Sequence, residues 1–234
     1  LAADGTDPGL DKRTYPSTYS DSDWSAIVTA GGIIRDGAPA TLQNTIQELI
    51  GVPGQTDGLF TNGEDCFHFW SFDHGGTSDN TDIDAGYLCG WGGNIADDVF
   101  ADWVSPIDGY AETYALGQCY AGSMVNDLEA LPDQDNRFYA WAADWYEPSY
   151  GQGWVDAWAD GIESGLRGTW DLGNYAMNND PFRPGAHPDY TEHPGWTGDN
   201  LHIITNHAIP EPGTLLLVGL GAGLLAFRVR RRRK

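Results

Sequence analysis

The chain has 234 residues, enough for one large domain with a sizeable buried core. Its 34 acidic residues outnumber its 12 basic ones, and six of the basic residues lie in the last seven positions, so residues 1–227 carry a formal charge of about −28. This charge argues against nucleic-acid binding, which requires a basic surface. It fits an exported, highly soluble body that favours cationic ligands, or acidity that serves solubility alone. Ten Trp and eleven Tyr argue against a disordered polyanion.

The first half of the chain alternates predicted helices and strands. Residues 41–50 carry apolar side chains at helical spacing and predict a helix, and the apolar run 67–72 predicts a buried strand. The segment 75–86 is rich in Gly and Asp and predicts a loop. Residues 95–104 predict a short helix with three side chains turned inward, namely Val99, Phe100 and Trp103.

The second half continues this alternation. Residues 110–117 and 138–143 predict buried strands, and residues 154–162 predict a helix. A helix also follows Cys119, with an inner face formed by Met124, Val125, Leu128 and Leu131. From residue 168 to 200 the chain reads as irregular, with Gly, Pro, Asn and Asp throughout. Strands that alternate with helices predict an α/β fold with a mainly parallel sheet flanked by helices.

Two of the predicted strands end in a reactive side chain beside glycine. The first ends at His74-Gly75, and the second at Gln118-Cys119, with Gly117 and Gly122 on either side. Parallel strands of an α/β sheet end at one edge, so the imidazole and the thiol are expected to face one crevice. A thiol with a neighbouring imidazole is the minimum equipment for cysteine nucleophilic catalysis. A helix that begins after the cysteine would stabilise its thiolate.

This pattern resembles the caspase-like cysteine peptidases, specifically the legumain branch of clan CD. The likeness rests on a hydrophobic strand ending in His-Gly, followed about 45 residues later by a second strand ending in Cys, and it covers about residues 1–204. The resemblance implies a caspase-like three-layer fold for a domain at residues 1–207. It implies an exported cysteine endopeptidase in which Cys119 is the nucleophile and His74 the general base. The backbone amides of Gly75 and Cys119 would form the oxyanion hole.

Substrate preference is less well defined by the resemblance. The primary pocket of the family lies partly behind the strand after the nucleophile, which makes Asp144, Trp145 and Glu147 candidate substrate-binding residues. Acidic residues there would suit a Lys or Arg side chain in a protein or peptide substrate. Gly117 departs from the legumains, which carry an acidic residue at that position, so asparagine specificity does not carry over. Trp145 could equally be a core residue.

Other candidate sites are weaker. Cys66 and Cys89 could form a disulfide in an exported protein, which would leave the third thiol, Cys119, unpaired, but pairing cannot be read from sequence. The acidic loop around residues 79–84 could hold calcium, but it lacks the glycine and glutamate positions of an EF-hand and favours a solvated loop. No other cofactor is expected, and the histidines near the C-terminus lack zinc-ligand spacing.

The C-terminal segment has a sequence pattern distinct from that of the predicted domain. Pro210-Glu211-Pro212 is followed by an apolar run over residues 213–227 and then by an Arg/Lys cluster. This order resembles the PEP-CTERM sorting signal of Gram-negative bacteria, which here would occupy residues 208–234. The resemblance implies cleavage near Pro-Glu-Pro by an exosortase-type enzyme. The apolar run would anchor the chain transiently in the inner membrane before release to the cell surface or extracellular matrix. An ordinary tail anchor is the alternative.

The beginning of the chain also bears on function. Leu1 to Gly5 reads as the end of a strand followed by a turn, and in the caspase-like family a strand and a helix precede this point. We therefore expect an N-terminal truncation that removes the export signal. The rival to the peptidase is a non-catalytic surface or biofilm-matrix interaction protein on the same fold. A redox-active thiol protein is a third reading, but the chain has no Cys-x-x-Cys pair.

Overall fold

The computed structural model describes residues 38–50, 66–71, 74–90, 93–132, 135–150 and 153–202. Five helices lie in these ranges: α1 (Pro39–Ile50), α2 (Asp97–Val104), α3 (Ala121–Ala130), α4 (Gly153–Glu163) and α5 (Thr169–Asn179). The strands are β1 (Cys66–Ser71), β2 (Gly75–Thr77), β3 (Gly86–Gly90), β4 (Gly93–Ala96), β5 (Ala111–Leu116), β6 (Arg137–Trp141) and β7 (Gly195–Gly198).

The main sheet has four strands in the order β1-β5-β6-β7. The first three run parallel, and β7 pairs antiparallel with β6 at one edge. The predicted α/β fold with a mainly parallel sheet is therefore confirmed. A second sheet, β2-β3-β4, is antiparallel and is inserted between β1 and α2. The sequence predicts a loop over residues 75–86. This segment instead begins with β2 at Gly75 and ends at the first residue of β3, Gly86.

Helices cover both faces of the main sheet. β5 is buried at every position, as expected for a strand that contacts helices on both sides. Tyr114 and Leu116 pack into a core formed with α1, α2 and α3, whereas Ala115 packs into a core formed with α4 and α5. Successive residues of a strand point to opposite faces, which accounts for this division.

Several expectations need correction. The helix expected over residues 95–104 begins at Asp97, because residues 95 and 96 complete β4. Val99 is exposed rather than turned inward, while Phe100 is fully buried. Residues 168–200 are irregular only in part, because α5 and β7 lie in this range, whereas the described residues 180–194 between them form no helix or strand. Gly173 lies within α5 and allows Trp196 of β7 to pack against this helix, because a β-carbon at Gly173 would lie 2.7 Å from the indole.

A buried ion pair lies near the amino ends of β5 and β6. Arg137 Nε is 3.0 Å from Glu112 Oε2, and both side chains are excluded from solvent. The carboxylate of Glu112 also accepts hydrogen bonds from the Tyr114 hydroxyl (3.0 Å) and the Gly109 amide (3.1 Å). Burial raises the pKa of Glu112, opposed by the Gly109 hydrogen bond and the charge of Arg137. The pair fixes the start of both strands.

Within the described residues, no helix has the length and apolarity needed to cross a membrane. The predicted membrane segment at 213–227 and the Pro210-Glu211-Pro212 motif lie outside the described residues, as do the residues before 38.

The ion pair generates a stability prediction. Arg137→Met leaves the Glu112 carboxylate buried without its counter-charge, so the free energy of unfolding should fall by about 3–5 kcal/mol in a urea titration followed by tryptophan fluorescence. The double variant Arg137→Met/Glu112→Leu should recover most of the loss, because it removes both buried charges. A single variant that unfolds at the same urea concentration as the unsubstituted chain would contradict this role.

Candidate functional site

Three parallel strands of the main sheet end level with one another. The register pairs Ser71 of β1 with Leu116 of β5, and Leu116 with Trp141 of β6. The segments that follow these strands therefore begin at one edge of the sheet. His74 lies in the first of these segments, Cys119 in the second and Asp144 in the third. Because β5 lies between its two neighbours, Cys119 has the histidine segment on one side and the acidic segment on the other.

The His74-Gly75 segment lies directly against the segment that carries the cysteine. A β-carbon at Gly75 would lie 2.2 Å from the carbonyl oxygen of Cys119 and 2.7 Å from Cγ of Gln118. Only glycine permits this approach of the two main chains. His74 is exposed, and its carbonyl oxygen accepts a hydrogen bond from the Cys89 amide of β3 at 3.0 Å. The small sheet thus holds the histidine segment in place beside Cys119.

Cys119 lies between the end of β5 and the start of α3. Its side chain is partly exposed, and Sγ is 3.5 Å from the carbonyl oxygen of Ser149. Tyr120 adopts a left-handed conformation (φ 56°), which turns the chain sharply into the helix that begins at Ala121. The thiol is therefore close to the amino end of a ten-residue helix, where the helix dipole favours negative charge.

The side chain of Gln118, the residue before Cys119, forms buried contacts that hold this part of the chain in place. Its side-chain oxygen accepts a hydrogen bond from the Ser71 hydroxyl at 2.6 Å, and its amide nitrogen lies 2.9 Å from the sulfur of Met124. The Gly117 amide donates to the Ser71 carbonyl at 2.7 Å. Gln118 is fully buried, and these hydrogen bonds join Ser71, at the end of β1, to the two residues that precede Cys119. Sequence reasoning missed this role, although Gln118 stands directly beside Cys119.

A second buried contact fixes the first turn of α3. The Ser123 hydroxyl is hydrogen-bonded to the carboxylate of Asp97, and the Gly86 amide donates to both side chains, at 2.9 Å to Asp97 and 3.0 Å to Ser123. This contact joins the start of α2, the start of β3 and the helix after the cysteine. Nothing in the sequence signals it, because Asp97 and Ser123 are 26 residues apart.

The acidic segment after β6 packs on the first turn of α3. A β-carbon at Gly122 would lie 2.8 Å from the Trp145 amide nitrogen and 3.0 Å from Asp144 Oδ1. Asp144 is partly exposed, and its Oδ1 accepts a hydrogen bond from the Trp145 amide at 2.7 Å. The carboxylate therefore lies near the amino end of the helix that follows Cys119. A carboxylate at this position also stabilises the helix, which is a structural role independent of substrate.

The carboxylate of Glu147 is hydrogen-bonded to other residues of the protein. It accepts hydrogen bonds from the amides of His193 and Asp144, and His193 Nδ1 lies 2.8 Å from Glu147 Oε2. The Glu147 carbonyl accepts a hydrogen bond from the Tyr120 amide at 3.0 Å. Glu147 thus joins the turn after Cys119 to a distant part of the chain, and only Asp144 and Trp145 of the three pocket candidates are partly exposed.

The remaining candidates lie away from this edge or form local contacts. Cys66 begins β1 and Cys89 lies in β3, in two different sheets, and their pairing stays a prediction. In the acidic loop, Asp79 accepts hydrogen bonds from the amide and hydroxyl of Thr81, which lower the pKa of Asp79. No group of three or more His, Cys, Asp or Glu side chains in the described residues is arranged to hold a metal ion. Calcium binding by the acidic loop stays a prediction.

The close approach at Gly75 can be tested directly. Gly75→Ala should lower the free energy of unfolding by about 1–3 kcal/mol, because the added methyl group must push the Cys119 main chain aside. The rate of Cys119 alkylation, measured by peptide mapping, should change with it. Gly93→Ala is the matched control in the same small sheet, since its β-carbon would contact Pro39 at ordinary distances, 3.4 Å from Cγ and 4.0 Å from Cδ. Equal effects of the two substitutions would contradict the packing described.

Comparison with known proteins adds one finding at the C-terminus. Residues 208–233 match the family model of the PEP-CTERM protein-sorting motif. The search of curated proteins returned no match. The chain therefore carries a PEP-CTERM sorting signal, which implies export, a membrane-associated C-terminus and recognition by an exosortase-type sorting enzyme.

Proposed function

We propose that this chain is an exported cysteine endopeptidase of the caspase-like type, with Cys119 and His74 as its catalytic dyad. The observation that carries the proposal is the contact between the two loops at the sheet edge. Gly75 packs against the Cys119 main chain so closely that a β-carbon would meet the carbonyl oxygen at 2.2 Å. The residue types, their order and their placement at the ends of adjacent parallel strands support the same reading.

The proposed reaction begins with the Cys119 thiolate. Its sulfur attacks the scissile carbonyl carbon, and the negative charge moves to the carbonyl oxygen, which the Gly75 and Cys119 amides would stabilise. The tetrahedral intermediate collapses to a thioester, and the imidazolium of His74 donates a proton to the departing amine. Water then attacks the thioester, with His74 accepting its proton. Collapse of the second tetrahedral intermediate releases the carboxylic acid product and regenerates the Cys119 thiolate beside the His74 imidazolium.

The substrate class follows from the charge beside the thiol. Asp144 is partly exposed in the segment that packs on the helix following Cys119. A Lys or Arg side chain before the scissile bond would place its positive charge near this carboxylate, and the acidic surface would attract basic peptides. Glu147 contributes less, because its carboxylate is engaged by His193. With the sorting signal, this suggests that the enzyme processes exported surface or matrix proteins.

Substitution of the dyad tests the proposal. With a panel of peptides varied at the residue before the scissile bond, Cys119→Ala and His74→Ala should each lower kcat/KM by about 10²–10⁴-fold or more. Cys89→Ala is the matched control, because it removes a partly buried thiol from the small sheet, and it should retain cleavage. A Lys or Arg preference that Asp144→Asn weakens would support the pocket assignment.

Cleavage that is unaffected by Cys119→Ala would exclude the dyad. No cleavage by the folded chain with a reduced thiol would favour the alternative, a non-catalytic surface or biofilm-matrix interaction protein.

The sorting signal generates a separate prediction. In a host that carries an exosortase, the chain should lose its C-terminal tail, and Glu211→Ala should leave the full-length form in the membrane fraction. His207→Ala lies just before the matched segment and should be processed normally. Intact mass measurement of membrane and extracellular fractions distinguishes the forms. Processing of Glu211→Ala at the normal rate would contradict the role of the Pro-Glu-Pro motif.

A further inference from the structure

The segment that contacts the thiol rests on two buried carboxyl groups. Ser149, whose carbonyl oxygen is 3.5 Å from Cys119 Sγ, is followed by Tyr150, whose amide donates to Glu192 Oε2 at 2.9 Å. Glu192 and Asp180 are both fully excluded from solvent. Asp180 caps the carboxyl end of α5, and Glu192 precedes β7. A chain of contacts thus leads from Cys119 to a buried acid pair that the proposed mechanism does not use.

The hydrogen bonds of this pair are incomplete without a proton. Asp180 Oδ1 accepts from the Phe182 amide at 3.0 Å, and Glu192 Oε2 accepts from Tyr150. The other two oxygens, Asp180 Oδ2 and Glu192 Oε1, are buried and have no donor among the described residues. The two side chains nevertheless lie within hydrogen-bonding reach of each other. Two ionised carboxylates in such contact repel each other strongly, whereas one shared proton satisfies both oxygens.

Few charges surround the pair among the residues that the structure describes. Arg183 lowers the pKa of Asp180 by its charge, and its guanidinium donates to the Asp180 carbonyl at 2.7 Å. The Tyr150 amide, which donates to Glu192 Oε2, favours the ionised form of Glu192, and so does the nearby Ser149 hydroxyl, which is itself buried without a hydrogen-bond partner among the described residues. At the start of α4, the uncharged residue Gly153 lies near the Asp180 carboxyl group. The Glu147–His193 ion pair is also close in sequence, because His193 directly follows Glu192.

Burial nevertheless has the largest effect on the pKa of both carboxyl groups. It raises the pKa of Glu192 to about 8, with further increases from the hydrogen bond and charge of Asp180. Burial also raises the pKa of Asp180. The pair therefore keeps a proton at neutral pH.

We propose that Asp180 and Glu192 share one proton and act as positioning residues that hold the Ser149–Tyr150 segment against Cys119. Loss of the proton places two negative charges in a site without solvent, and the segment moves away from the thiol to relieve their repulsion. The proposal gives the active site a regulator that responds to mildly alkaline pH, and it rests on the proposed function only for its effect on catalysis. The positioning itself does not depend on peptidase activity.

Hydrogen exchange of the full chain tests the positioning. After correction for the intrinsic exchange rate, protection of the Tyr150 amide should fall about tenfold between pH 7 and pH 9, because the protonated fraction falls by about that factor across a pKa of 8. Glu192→Gln should abolish this fall, since its amide group donates to Asp180 at every pH. Glu163→Gln, at the exposed end of α4, is the matched control and should behave like the unsubstituted chain.

The pH profile of kcat/KM forms the second arm. The unsubstituted chain should show an ionisation near pH 8 that Glu192→Gln lacks. Protection that is constant from pH 7 to pH 9, or the same fall in Glu192→Gln, would overturn the proposal. If Glu192→Gln does not fold, Asp180→Asn replaces it, with the same expectation. Absence of peptide cleavage would defeat the proposed function alone, because the exchange experiment reads the acid pair without it.

Discussion

The parallel pairing of β1, β5 and β6 is the constraint on which the rest of the structure depends. These strands are in register to the last residue, so the three segments that follow them leave the sheet side by side. β5 is buried at every position, and it connects an ion pair near its start to the cysteine after its end. Glu112 near its start forms a buried ion pair with Arg137, and Cys119 after its end lies at the amino end of α3. β5 therefore connects the Glu112–Arg137 ion pair, which stabilises the fold, to the candidate reaction centre at Cys119.

Hydrogen bonds and close packing hold Cys119 and its neighbours in place on three sides. Gln118 joins the thiol to the end of β1, and Ser123 joins the first turn of α3 to the small sheet. On the third side, the segment after β6 packs against Gly122, and the Tyr120 amide donates to the Glu147 carbonyl. Buried hydrogen bonds of this kind hold a reactive group in one geometry, as a catalytic site needs. The exposed imidazole of His74 is the part of the candidate dyad open to solvent and substrate.

Much of this could be predicted from the sequence where the signal is local. The strands that deliver His74 and Cys119 are apolar runs ending at glycine, and α4 has a clear helical period. Helix α5 escaped prediction because Gly173 and its Asn residues have low helix propensity, and tertiary packing against Trp196 compensates for it. The small sheet escaped because its strands are short and rich in glycine. Contacts such as Glu147 with His193 join residues far apart in the chain, and no local pattern reports them.

The central claim is that the histidine segment activates Cys119 and no other thiol. Intact and peptide mass measurements after exposure to a peptide chloromethyl ketone with lysine at the reactive end would test it most directly. The account predicts one label, on Cys119, at neutral pH, with labelling strongly slowed by His74→Ala and with Cys66 and Cys89 unmodified. Labels distributed over all three cysteines, or labelling of Cys119 at the same rate in His74→Ala, would contradict it.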